Sequence, residues 1–125
     1  MSAKIMVVDD SAMSRRTIRR ILEGAGYNVV EADEGMAALE LYFLEKPDLI
    51  FLDLVMKGMY GLDVLEKLRE MDKDVRVVVA SADIQSSTRT MVNEAGACAF
   101  INKPFVVDQV LAAVNTALAG GGSER

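Results

Sequence analysis

The sequence predicts an α/β fold, five parallel strands with helices on both faces of the sheet. Three observations carry that prediction. Apolar runs such as Leu49-Ile50-Phe51-Leu52 do not alternate with polar residues, as expected of strands buried on both faces. Between the runs lie stretches whose apolar residues recur at helical spacing. The connections are short, so successive strands join through right-handed crossovers.

The first strand is Lys4 to Val8, and it ends on Asp9-Asp10, with Ser11 as helix N-cap. A helix over Ala12 to Ala25 has apolar positions at Met13, Ile18, Ile21, Leu22 and Ala25. Its other side carries Arg15, Arg16, Arg19 and Arg20, and Gly24 and Gly26 stop it. Asn28 to Ala32 is the second strand. Asp33 caps a helix from Glu34 to Glu45, terminated by Lys46-Pro47. The third strand runs from Asp48 to Asp53. Gly61 opens a helix to Met71, with Leu62, Leu65 and Leu68 on one side.

Val75 to Ala80 is the fourth strand and delivers Ser81 at its end. The helix after it, Ser86 to Ala95, offers only Met91, Val92 and Ala95 as apolar contacts, so it is expected to be the most weakly anchored. Cys98 to Ile101 is the fifth strand, followed by Asn102-Lys103-Pro104. The last helix, Val106 to Leu118, is patterned at Val107, Val110, Leu111, Val114 and Leu118. Gly120-Gly121-Gly122-Ser123 begins a flexible tail.

With 125 residues, the chain is long enough for one domain with a core of its own. Its formal charge of −5 argues against direct nucleic-acid binding. No apolar run approaches the ~20 residues needed to cross a bilayer, so no membrane insertion is expected. One cysteine, Cys98, rules out an internal disulfide and favours a reducing, cytoplasmic setting. Cys98 itself reads as a small buried hydrophobe. The chain has no histidine, so its chemistry must come from carboxylates, Lys, Ser/Thr or backbone.

In a parallel sheet all strand C-termini share one edge. Asp9, Asp10, Asp53, Ser81 and Lys103 all follow or end strands there. Read singly, each has an ordinary explanation as a cap or loop residue; their common edge points to a site. Three carboxylates in one crevice repel one another and call for a compensating cation. Oxygen donors of this kind suit Mg²⁺. With Lys103 and Ser81 as donors, the set suits the oxygens of a transferred phosphoryl group. Asp53 is then the nucleophile, giving an acyl phosphate.

Val7-Val8-Asp9-Asp10-Ser11, Leu52-Asp53-Leu54-Val55-Met56, Ala80-Ser81-Ala82 and Lys103-Pro104-Phe105 resemble the receiver domain of two-component response regulators, over about Lys4 to Leu118. The resemblance implies a flavodoxin-like (βα)5 fold of strand order 2-1-3-4-5, a receiver domain over 1–119 and a tail over 120–125. It implies that Asp53 takes a phosphoryl group from a sensor histidine kinase or histidine phosphotransfer protein. Asp9, Asp10, Asp53 and the Val55 carbonyl would hold Mg²⁺. Ser81 would hydrogen-bond the phosphoryl group and Lys103 would pair with it, with a cis bond to Pro104. Phe100 matches an aromatic switch position. The output face would be the fourth helix, last strand and last helix.

The chain departs from the family pattern at Lys57, where proline is usual, at Tyr60, and at Val55, where many members are polar. Val55 and Asp83 are expected to tune dephosphorylation, Asp83 by orienting a water. Arg15, Arg16 and Arg19 read either as a solvated face or as a docking strip for an acidic kinase surface. Other readings are a phosphorelay intermediate, an aspartyl hydrolase lacking the second acid that Val55 displaces, a flavin carrier, or a docking module that is never phosphorylated.

Overall fold

The computed structural model describes residues 3–56, 60–82 and 86–120. The strands are β1 (Lys4–Val8), β2 (Asn28–Ala32), β3 (Leu49–Asp53), β4 (Val77–Ser81) and β5 (Ala99–Asn102). The helices are α1 (Ala12–Gly24), α2 (Gly35–Glu45), α3 (Gly61–Met71), α4 (Ser86–Glu94) and α5 (Val107–Gly120). All strands are parallel, in the order β2-β1-β3-β4-β5.

Neighbouring residues of one strand go to opposite cores, which is why the apolar runs do not alternate. Met6, Val8, Ile50, Leu52, Val77 and Val79 pack with Val64, Leu65 and Leu68 of α3 and Val92 of α4. Ile5, Val7, Leu49, Phe51, Val78 and Ala80 pack with Ile18 and Leu22 of α1 and Val110 and Val114 of α5. Full burial of each such side chain contributes about 1.5–3 kcal/mol, so β1, β3 and β4 are the most firmly held strands.

Several local expectations are corrected. Met13 is 72% exposed and Val107 is also exposed, so neither joins the core its spacing suggests. Met91 is exposed too; α4 is anchored through Val92 and Thr88, with Ala95 packed just beyond its end. The α2 N-cap is Glu34, not Asp33, and it makes no side-chain capping bond. β4 starts at Val77, because the Val75 N–H is taken by the Asp72 carbonyl in a turn. α5 continues to Gly120, one residue into the expected tail; helical hydrogen bonding carries on to the first glycine of that run. Residues 121–125, Lys57 and Asp83 lie outside the described residues.

Among the described residues, no helix is long and apolar enough to cross a membrane. Cys98 is half-buried against the α1–α5 core.

Candidate functional site

β1 and β3 are adjacent at the point where strand order reverses, so their loops diverge and leave a crevice at the carboxyl edge. Asp9 enters it from β1 and is 4% exposed. Its carboxylate accepts the Ser11 N–H at 2.9 Å on one oxygen and Lys103 Nζ at 2.9 Å on the other. Its backbone carbonyl accepts from Arg15 Nη1 at 2.7 Å. Ser11 also caps α1, accepting the Ser14 N–H at 3.2 Å. Asp10, next along, faces solvent.

Asp53 ends β3, in register with Ala80, and is 6% exposed. Its carboxylate stands 3.4 Å from Lys103 Nζ and accepts the Val55 N–H. The Leu54 N–H bonds the Ala80 carbonyl at 3.1 Å, fixing the strand end that carries Asp53. Gly61 approaches the same turn closely. Its N–H bonds the Leu54 carbonyl at 2.8 Å, and a Cβ on Gly61 would sit 2.5 Å from the Asp53 carbonyl oxygen.

One oxygen from each of Asp9, Asp10 and Asp53 can lie within 4.8 Å of the others. That is a hard-oxygen donor set, fitting a cation such as Mg²⁺. Burial, and then the nearby Asp9 charge, push the Asp53 carboxyl up to about 6, against the opposing pull of Lys103 and the Val55 N–H. Burial works against the charged form of Lys103. The Asp9 hydrogen bond and the two carboxylate charges outweigh it, so its pKa is raised.

Ser81 is 1% exposed at the end of β4, and its carbonyl accepts the Lys103 N–H at 3.0 Å. The Lys103–Pro104 bond is cis. Val55 is exposed beside Asp53. Phe100 is half-buried on β5, with the Arg89 guanidinium 5.1 Å from its ring centre.

The arginines of α1 do not form a free cationic strip. Arg15 pairs with Glu31 at 2.9 Å, and Arg19 pairs with Glu31 at 2.6 Å and Glu23 at 2.9 Å. The hydrogen bond from Arg19 holds the Glu31 carboxyl below its usual value, against the cost of burial. Of the three expected docking residues, Arg16 alone is exposed and without an ion pair among the described residues. Two roles escape sequence reasoning: Arg15 as a brace on the Asp9 carbonyl, and Gly61 as the close approach behind Asp53. Only the glycine left a signal, as a helix-opening Gly after a carboxylate strand end.

A family model for the response regulator receiver domain matches residues 5–115. The chain belongs to this family. It is 40% identical over 119 residues to the chemotaxis protein CheY of Bacillus subtilis, covering 94% of this chain and 99% of that protein. It is 36% identical over 118 residues to the response regulator MprA of Mycobacterium ulcerans, covering 94% of this chain and 51% of that one. Among solved structures, a CheX-CheY-BeF3-Mg complex from Borrelia burgdorferi is similar, with a TM-score of 0.87 and 30% identity. That match covers 90% of this receiver and 86% of the other chain. The protein is thus a CheY-like receiver of two-component signalling, with the expected fold and strand order. Receivers are signal-transduction modules rather than classical enzymes.

Proposed function

We propose that this receiver stores a signal as an aspartyl phosphate on Asp53. The observation that carries the reading is the Asp53 carboxylate, buried, clustered with Asp9 and Asp10, and 3.4 Å from Lys103 Nζ. Its pKa of about 6 leaves it ionised at neutral pH, as a nucleophile must be. An Asp53 oxygen attacks the phosphorus of a phosphohistidine on a sensor kinase or phosphotransfer protein. The P–O bond forms as the P–N bond breaks, and the departing imidazole nitrogen takes the electron pair and picks up a proton.

Asp9, Asp10, Asp53 and the Val55 carbonyl would hold Mg²⁺, which supplies positive charge for the phosphoryl oxygens. Lys103 pairs with the new phosphoryl group, giving up part of its bond to Asp9. The Ser81 hydroxyl donates to a phosphoryl oxygen. Moving Ser81 opens space behind β4 into which Phe100 turns, and α4, held mainly by Val92 and Thr88, shifts. Partners then read the α4-β5-α5 face. The receiver's own residues catalyse transfer and the later hydrolysis, whose rate Val55 and Asp83 tune.

Incubation with Mg²⁺ and acetyl phosphate tests this. A labile mass gain of one phosphoryl group is expected, abolished in Asp53→Asn. A gain that survives the substitution, or that needs no divalent cation, would overturn the reading.

A further inference from the structure

At the opposite edge of the sheet, beside the amino-terminal ends of β4 and β5, lies an open pocket of about 440 Å³. Arg69 from the last turn of α3, Lys73 from the turn that follows, and Arg76 just before β4 all line it. Asp74 is the one acid on its walls. Three cations and one carboxylate leave a local excess of positive charge in a chain whose formal charge is −5. Among the described residues, none of the three cations forms an ion pair, whereas Lys4, Arg15, Arg19 and Lys103 all do.

Arg76 adds a second, independent sign. Its Nε is enclosed and finds no hydrogen-bond acceptor among the described residues. A buried N–H without an acceptor is costly, so the Arg76 guanidinium is left incompletely satisfied by the protein's own groups beside this pocket. Gly96, at φ +99, lets the Arg69 guanidinium lie close against its backbone, in the space a Cβ would take. Arg69 reaches the Gly96 carbonyl with only a long 3.5 Å bond, so most of its five N–H donors remain available.

We propose that this pocket binds a phosphate-bearing anion, held by Arg69, Lys73 and Arg76. Guanidinium forks match the paired oxygens of phosphate, and Lys73 adds a point charge. The pocket is larger than phosphate alone needs, so an organic phosphomonoester fits the same chemistry. The competing use for these cations is to answer the carbonyl ends of α3 and α4, which converge here. Arg69 serves that field in part; Lys73 and Arg76 lie beyond the last turn of α3.

The only cysteine of the chain, Cys98, lines the same pocket, so its alkylation by neutral iodoacetamide reports occupancy. Inorganic phosphate, exchanged for chloride at constant ionic strength, should slow alkylation saturably, with amide shifts centred on Val75, Gly96 and Cys98. In Arg69→Gln/Lys73→Gln, checked for native fold by its amide spectrum, half-saturation should need about tenfold more phosphate. AMP binding about tenfold tighter than phosphate would assign an organic phosphomonoester; equal affinities would assign the free ion. Protection matched by chloride, non-saturating, or unchanged in the double variant would overturn the proposal and leave the cations to the helix ends.

Discussion

Lys103 and Asp9, 94 residues apart in sequence, are joined by a 2.9 Å hydrogen bond between the Lys103 ammonium and the Asp9 carboxylate. The bond joins the loop after β5 to the residue that follows β1, and the same ammonium stands 3.4 Å from the Asp53 carboxylate. Lys103 thus occupies, electrostatically, part of the role a divalent cation would take: it offsets two buried carboxylates at once.

Removing that ammonium separates its two roles. Lys103→Ala should destabilise the cation-free protein by about 2 kcal/mol, because two buried carboxylates lose a shared partner. The same change removes a competitor, so the rise in Tm on adding Mg²⁺ should exceed that of the parent. Phosphorylation by acetyl phosphate should still slow, since the phosphoryl group loses its counter-charge. Calorimetry with and without Mg²⁺ checks the first two effects; a smaller Mg²⁺ increment would mean Lys103 and the cation do not compete.

Asp53 is a stability liability at neutral pH. Its folded-state pKa is raised from 3.8 to about 6, so the folded protein holds its proton more tightly than the unfolded chain does. The stability this provides is complete below about pH 4 and is lost as pH rises through about 6. In EDTA at pH 7, Asp53→Asn should therefore be more stable than the parent, by ~2 kcal/mol. The difference should shrink toward zero near pH 4. Urea unfolding across pH 4–8 measures it, and a pH-independent difference would contradict the burial-driven shift.

Gly61 tests how rigidly the strand end that carries Asp53 is held. A Cβ at this position meets the backbone of Asp53 and Leu54, which cannot swing away as a flexible side chain would. Gly61→Ala should cost about 1–3 kcal/mol and slow phosphorylation by acetyl phosphate, because α3 must move off the strand end. An unchanged rate together with lost stability would place the strain in α3 alone.

The strand ends were legible because each buried run stops on a charged or hydroxyl residue, and a parallel sheet gathers those stops on one edge. Spacing does not reveal how far a neighbouring element reaches. Met13 lies in the first turn of α1, on a surface groove with Lys103, Pro104 and Phe105 rather than in the core. The fate of the α1 arginines was hidden for a related reason. Arg15 and Arg19 meet Glu31 only because α1 packs beside β2, a tertiary fact with no local trace. At Asp33 a good capping residue gives way to Glu34, which holds the extended N-cap backbone without any side-chain capping bond.

That pairing yields a sharper docking test. Arg16→Glu should slow phosphorylation by a histidine kinase and leave acetyl phosphate unaffected, because Arg16 faces solvent and touches nothing in the site. Arg15→Ala should slow both donors, because Arg15 braces the Asp9 carbonyl. Equal effects of both substitutions on both donors would remove the distinction between docking and positioning.

Phe100 is held by the Arg89 guanidinium, 5.1 Å from its ring centre, and this contact must break if the ring turns inward. A cation–π contact at a partly exposed site is worth about 0.5–1 kcal/mol, a two- to fivefold bias in an equilibrium. Arg89→Ala should therefore raise the inward population of Phe100 before any phosphorylation, by about that factor. Ring NMR of Phe100 reads the population directly. Ser81→Ala should do the opposite under acetyl phosphate and Mg²⁺, since the hydroxyl proposed to draw β4 toward the phosphoryl group is gone. If Arg89→Ala leaves the ring where it was, the bias lies in the packing of Phe100 against the α4 core, not in its cation.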